Sequence, residues 1–429
     1  MAKKSVKRKK IETFYLILNF VIVPILVLTI FAFLISQYPK YESGFENINE
    51  LIYDSQSKDE FAQPEDYIDY KRPSWKTYQN KIQKSLISQE IDNVLAMLRL
   101  KRRPEWHASY FEHLLEKTIS RREAEGFKNE FVIRLTPKPG SKFIIWGDLS
   151  GAYHSVIRGL QKLIELNVID ENLKLKSSND FIVFTGDANS RSPFIMEMLT
   201  LIMKLDERNT DKIFYLTGNN EKYGSWRSFG LLEELQIKGK YLETPIEEIS
   251  QQLDRYFNTL PMGIYISSYP HRSKDFVRIS HFAMECFTHQ GYQDLINLLD
   301  DSYFSDQLLN DREKKDLKII NLDFPRGNPS EKLVNVKAII KSLYKLNIGQ
   351  NHDGLQLLIP DKAATAWTIL SCPTAIASKV LNFYNDTFVI LETAEELDDW
   401  TITLYYRDIR GTEDFKTKKY NFISGQQLE

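Results

Sequence analysis

Cysteine is almost missing from this chain: Cys286 and Cys372 are the only two among 429 residues. Two thiols cannot build a disulfide scaffold or a four-cysteine zinc site. They read as buried free thiols packing as small hydrophobes, with one bond between them left open for an oxidising compartment. A surplus of either charge is missing too. Lys and Arg number 56 against 58 Asp and Glu, a formal net charge of -2, without the basic excess that marks a nucleic-acid binder. No internal repeat or low-complexity tract is present. Apolar residues are plentiful: 42% hydrophobic and 12% aromatic suits a chain with a sizeable packed core and not a disordered one. The length allows one large domain or two ordinary ones.

Charge is also missing locally. Phe14 to Ile35 is an uncharged run rich in Ile, Leu, Val and Phe. As a helix rising ~1.5 Å per residue, its roughly 22 residues span the ~30 Å hydrocarbon core of a bilayer. Asn19 and Pro24 interrupt the run, as single polar or proline residues do in spanning helices. Before it lie Lys3, Lys4, Lys7, Arg8, Lys9 and Lys10, and from Lys40 to Asp66 acidic residues outnumber basic ones. The positive-inside rule then places the N-terminus in the cytoplasm and the rest of the chain across the membrane. A cleaved signal peptide is the competing reading. The run is long for one, and no A-x-A-like site follows between Ser36 and Ser43. The expectation is a single-pass protein with an exoplasmic domain, periplasmic for a Gram-negative bacterial inner membrane, whose partners are the lipid bilayer and a protein of unknown identity.

The expected organisation is a basic N-terminus (1–13), a transmembrane helix (14–35), a polar, acidic stalk (36–63), a helical region (64–136), a main domain (137–410) and a C-terminal tail (411–429). In the helical region Ile82, Leu86, Ile91, Val94, Leu95 and Leu98, then Tyr110, Leu114 and Ile119, recur at helical spacing, with a break near Pro104. Beyond Gly140 the texture becomes strand–helix alternation. Apolar runs Lys142–Trp146, Phe181–Thr185 and Ile213–Thr217 are separated by helical patterns at His154–Leu166 and Pro193–Leu205, which predicts an α/β domain. Later strands are predicted at Met262–Ile266, Phe276–Ser280, Thr365–Leu370, Phe388–Thr393 and Trp400–Tyr406, enough for a second sheet.

Each of the first three strands ends in Gly followed by Asp or Asn: Asp148, Asp187 and Asn219. One such ending is an ordinary turn signal. Three at neighbouring strand ends fall where open α/β sheets place their sites, and oxygen donors joined by later histidines suit hard or borderline divalent metals. The segments Gly147-Asp148-Leu149-Ser150-Gly151, Gly186-Asp187-Ala188-Asn189-Ser190-Arg191 and Gly218-Asn219-Asn220-Glu221 resemble the GDxHG, GDxxDRG and GNHE blocks of calcineurin-like, phosphoprotein phosphatase-type metallophosphoesterases. Ile279-Ser280-His281, Ile348-Gly349-Gln350-Asn351-His352 and Ile369-Leu370-Ser371-Cys372-Pro373 are similar to the later blocks, so the resemblance runs from about Lys142 to Arg407. It implies an α/β fold of the metallophosphoesterase type, a two-sheet β-sandwich flanked by helices.

The same resemblance implies a damaged site. Of the family's metal ligands, Asp148, Asp187, Asn219 and His281 match; Ser150 stands in place of the first-block histidine and Gln350 in place of the last, with His352 two residues on. Asn220 replaces the general-acid histidine and Ser190 the aspartate that holds it. Arg191 matches the phosphate-binding arginine. No catalytic group is intact. Two cofactor states stay open, one divalent ion (Mn, Fe or Zn) or none. The functional expectation is a pseudophosphatase that binds or scaffolds. A single-metal phosphoester hydrolase and a structural subunit of a membrane assembly are the alternatives.

Overall fold

The structure, a computed structural model, describes residue 23 and residues 45–57, 106–127, 131–190, 192–239, 242–267, 275–281, 317–321, 335–342, 353–358, 365–371, 384–409, 411 and 413–428. Two sheets carry the fold. In chain order the strands are β1 (Phe131–Leu135), β2 (Lys142–Trp146), β3 (Phe181–Phe184), β4 (Ile213–Tyr215), β5 (Gly263–Ser267), β6 (Asp275–Ser280), β7 (Leu317–Asn321), β8 (Asn335–Ser342), β9 (Leu355–Leu358), β10 (Thr365–Ile369), β11 (Asn385–Glu392), β12 (Thr401–Asp408) and β13 (Lys416–Asn421). One sheet runs β13-β12-β11-β2-β3-β4 and the other β7-β1-β5-β6-β8-β10-β9. β2, β3 and β4 are parallel, as expected of strands joined by helices.

Alternation along β2 explains the layering. Phe143 and Ile145 face the second sheet; with Val183 and Val389 of their own sheet and Ile264, Ile279 and Ile369 of the other they form the inter-sheet core. Ile144 and Trp146 face the helices. Both faces of these strands are therefore covered, so they read as unbroken apolar runs. Each fully buried large side chain contributes about 1.5–3 kcal/mol relative to exposure.

The helices are α1 (Ile48–Ser57), α2 (Ala108–Ala124), α3 (Tyr153–Glu165), α4 (Ile195–Arg208), α5 (Leu231–Lys238) and α6 (Ile246–Asn258). On α3 the spacing of Val156, Ile157, Leu160 and Leu163 makes one buried stripe. α4 is buried from Ile195 through Asp206 because α2, α3, α5 and β4 all pack on it.

Three expected boundaries shift. The stalk reading of 36–63 gives way at α1: Phe45, Ile48 and Leu51 are buried in the helical core, and Phe45 stacks on Tyr153 at 6.2 Å. Their spacing of three residues is a short apolar stripe in an otherwise acidic stretch, which average polarity conceals. The helical reading of 64–136 holds at α2, whose Tyr110, Leu114 and Ile119 are buried, but Phe131–Leu135 is a strand inside the seven-stranded sheet, paired with β5 and β7. The tail reading of 411–429 also fails. β13 pairs with β12, and Phe422 beyond it is buried among Trp367 and Trp400, its carbonyl accepting the Trp367 indole N–H at 2.9 Å. Among the described residues no helix is long and apolar enough to cross a membrane. The Phe14–Ile35 run, apart from Val23, and both cysteines lie outside the described residues.

Candidate functional site

The carboxyl ends of β2, β3 and β4 converge with the end of β6, and the backbone makes that approach possible. Gly186 adopts φ +107°, and a Cβ there would come within 2.7 Å of the Gly218 nitrogen; a Cβ on Gly218 would lie 2.2 Å from Asp187 Oδ1. Only glycine lets the second and third loops close this tightly. The first loop is tied across the sandwich: Gly147 N–H donates to Ser371 Oγ (2.8 Å) and Ser371 N–H to the Asp148 carbonyl (3.3 Å). Ser150 and Asp187 occupy the left-handed region at φ 41° and 55° without being glycine. Such strain concentrates where side chains are aimed at a site.

Glu221, which sequence reasoning assigned no role, organises the loops. Its Oε2 accepts the N–H of Asp187 (3.1 Å) and of Gly218 (2.7 Å), while Oε1 accepts the Tyr215 hydroxyl. Burial, followed by the adjacent Asp187 carboxylate, pushes Glu221 up to about 8. Burial also drives the Tyr215 phenol well above its ordinary range. The signal was present: Glu221 closes the third block, three residues after a glycine whose N–H needs an acceptor.

One corner of the cleft suits a cation. His281 is 4% exposed, and its Nδ1 lies 3.0 Å from the Thr185 carbonyl. A carbonyl only accepts, so Nδ1 carries the proton and Nε2 presents its lone pair. That lone pair lies 3.3 Å from Asn219 Oδ1 and 3.5 Å from Asp187 Oδ2. The Asn219 amide is oriented by its Nδ2 donating to Asn220 Oδ1 at 2.7 Å. Burial pulls the imidazole below its ordinary value against the Asp148 carboxylate and the Thr185 carbonyl, which favours the neutral ligand form. Two oxygens and an imidazole nitrogen thus converge, with the ring held through its other nitrogen, as metal-bound histidines are. These residues fit one divalent ion.

The neighbouring corner does not fit a second. Ser150 Oγ donates to Asp148 Oδ1 at 2.7 Å, and Ser150 N–H donates to the Asp187 carbonyl at 2.8 Å. A hydroxyl is a weak ligand beside imidazole, and here its proton is directed at the carboxylate that would bind the ion. Among the described residues no group of three or more His, Cys, Asp or Glu side chains could hold a metal; the corner at His281 reaches three donors only by including the Asn219 amide oxygen.

Asn220 and Ser190 are likewise in structural use. Asn220 is 2% exposed; its N–H donates to Asp187 Oδ1 (3.0 Å) and its carbonyl accepts from Asn189 Nδ2 (3.4 Å). Ser190 is fully buried, its Oγ has no hydrogen-bond partner among the described residues, and its backbone bridges to Gly230. Neither side chain can protonate a departing alkoxide at neutral pH. The structure therefore brings together Asp148, Asp187, Asn219 and His281 with Ser150, Ser190 and Asn220. Arg191, Gln350 and His352 lie outside the described residues.

Among solved structures the chain is similar to a protein serine/threonine phosphatase from Saccharomyces cerevisiae, at 15% identity and TM-score 0.41 over 67% of this chain and 83% of that one. It is similar to the cold-active protein-tyrosine phosphatase of a psychrophilic Shewanella, at 16% identity and TM-score 0.37 over 65% and 83%. A third similarity is to YfcE, a phosphoesterase from E. coli, at 10% identity and TM-score 0.28 over 64% and 97%. No curated protein matches the chain. The family model whose description is calcineurin-like phosphoesterase matches residues 141–348.

Proposed function

Because residues 141–348 form a calcineurin-like phosphoesterase domain, we propose that the chain is a membrane-tethered pseudophosphatase. In this reading the domain keeps the family's cleft and one cation position as a binding or scaffolding module, without the two-metal reaction. The observation that supports it most is the 2.7 Å bond from Ser150 to Asp148, which commits the first-position carboxylate to a neighbouring hydroxyl. A paired metal centre activates a bridging water and clamps the attacking and leaving oxygens of an in-line displacement. With one ion lost, that activation weakens, since free water has a pKa near ~15.7 against ~7 when suitably bound. With Asn220 in the acid position, a further factor of about 10²–10⁴ is lost. The tether is the Phe14–Ile35 run, and the partner is a protein meeting the cleft or residues 75–122.

A second reading, a single-metal phosphoester hydrolase, is favoured by the convergence of His281, Asn219 and Asp187 and by the phosphate-binding match at Arg191. One experiment separates the two. The full chain is purified in detergent, its Mn, Fe and Zn content is measured, and an aryl phosphate is assayed with added Mn²⁺. The pseudophosphatase predicts one ion or fewer per chain and no turnover. Turnover that disappears in Asp187→Ala establishes the hydrolase, and two tightly held ions with turnover overturn the present reading.

A further inference from the structure

Behind the cleft lies a buried polar network that the phosphoesterase blocks do not explain. Asp54 on α1 is fully buried; its Oδ1 accepts the Trp106 N–H and its Oδ2 the Tyr153 hydroxyl, both at 2.8 Å. The next residue's carbonyl, Ser55, lies 3.1 Å from His154 Nε2. The Trp106 indole N–H donates to Thr200 on α4 at 2.8 Å, and the Lys238 ammonium sits 5.0 Å from the centre of the indole ring. Lys238 Nζ in turn donates to Glu197 (2.6 Å), Glu234 (2.6 Å) and the Pro193 carbonyl (2.8 Å). Glu234 accepts the N–H of Ile195 (2.9 Å) and Met196 (3.1 Å).

The placement of these contacts matters more than their number. Tyr153 and Ile195 are the first residues of α3 and α4, the two helices that leave the Asp148 and Asp187 loops. The Ser190–Gly230 bridge adds a second tie between the Asp187 loop and the start of α5. Buried ion pairs are weak stabilisers, because desolvation offsets attraction, and apolar side chains of similar volume hold helices together as well or better. What apolar packing cannot do is fix the direction of particular N–H and carbonyl groups. Lys238 and Glu234 do so at Pro193, Ile195 and Met196, and Asp54 does so at the Trp106 N–H while also holding the Tyr153 hydroxyl.

We propose that Asp54 and Lys238 are positioning residues for the cleft, so that the segment 45–57, outside the family-matching residues, sets the geometry of the Asp148 and Asp187 loops. The inference rests on the cleft being the ligand site. The test uses the full chain with Asp54→Asn, Tyr153→Phe and Lys238→Met, and with Leu404→Ala in β12 as a destabilised control that touches no site loop. Amide exchange over residues 147–152 and 187–196 and Mn²⁺ affinity are measured where each variant is folded. The expected result is faster exchange in both loops with Mn²⁺ binding weakened about 10-fold or more, the scale for partners of metal ligands, while Leu404→Ala changes neither. Exchange and affinity that stay at the control's level in the three variants overturn the proposal. If the native protein takes up no Mn²⁺, that result counts against the cation position, and loop exchange alone decides the positioning role. Tyr153→Phe, which removes one hydroxyl, decides it should the charged substitutions fail to fold.

Discussion

The two corners of the cleft share Asp187 and differ in what surrounds it. At one, His281 is held through Nδ1 by a backbone carbonyl, Asn219 is held by Asn220, and His281 Nε2 faces both Asn219 Oδ1 and Asp187 Oδ2. At the other, Ser150 aims a proton at Asp148. The same sandwich supports both, and the contrast lies in the side chains: an imidazole held by an acceptor behind it presents a lone pair, and a hydroxyl beside a carboxylate makes a hydrogen bond.

Restoring the second corner breaks the contrast and has the largest expected effect. Ser150→His supplies the imidazole at a left-handed position that histidine tolerates better than most residues, and Asn220→His supplies the acid. The double variant should raise bound Mn²⁺ toward two per chain and bring aryl-phosphate turnover about 10²-fold or more above the assay background at which the native chain stays, the lower bound for a general acid. Metal analysis and steady-state assay check both; unchanged stoichiometry would show that more than these two side chains separates the corners.

A smaller effect sharpens the role of what the corners share. Glu221 accepts from Asp187, Gly218 and Tyr215. Glu221→Leu leaves those buried donors unsatisfied, at a cost of about 1–3 kcal/mol each, and should lower the urea midpoint while weakening Mn²⁺ binding at the His281 corner. Denaturation and titration read the two consequences separately.

The smallest effect lies behind the cleft. Burial raises Glu234 from its ordinary 4.5 to about 7, with Lys238 opposing the shift and Glu197 reinforcing it. Because the folded pKa is raised, this group's contribution to stability is full below about 4.5 and is lost as pH rises through 7. Glu234→Gln, which keeps an acceptor for Ile195 or Met196 but does not titrate, should flatten the fall in melting temperature across that window. A slope identical to the native one would place the titration elsewhere.

Much of this site is legible in the residues because its anchors are local. An apolar strand followed by Gly-Asp or Gly-Asn is a pattern within six or seven residues, and Asp148, Asp187 and Asn219 stand at the converging ends of three such strands. His281, at the end of β6, is singled out by the resemblance of Ile279-Ser280-His281 to a family block and not by that pattern. Glu221 and Tyr215 escaped notice because their partners are decided by how the loops fold back. Thr185 and Asp54 escaped for a different reason: their partners lie 96 and 99 residues away in the chain. β1 and β13 were missed because neither shows clean alternation: Phe131–Leu135 is buried throughout, and Lys416–Asn421 is a lysine-rich edge.

The sequence alone determined the parallel strands and the helices between them, since each is a matter of side-chain type and periodicity within a short window. Tertiary structure decided the rest: that the acidic segment after the apolar run is core and not stalk, that Ser150 engages Asp148, and that Glu221 binds two loops together. Those outcomes depend on which hydrogen-bond donors and acceptors remain unmet when distant strands meet in the dry interior, and no local pattern carries that information.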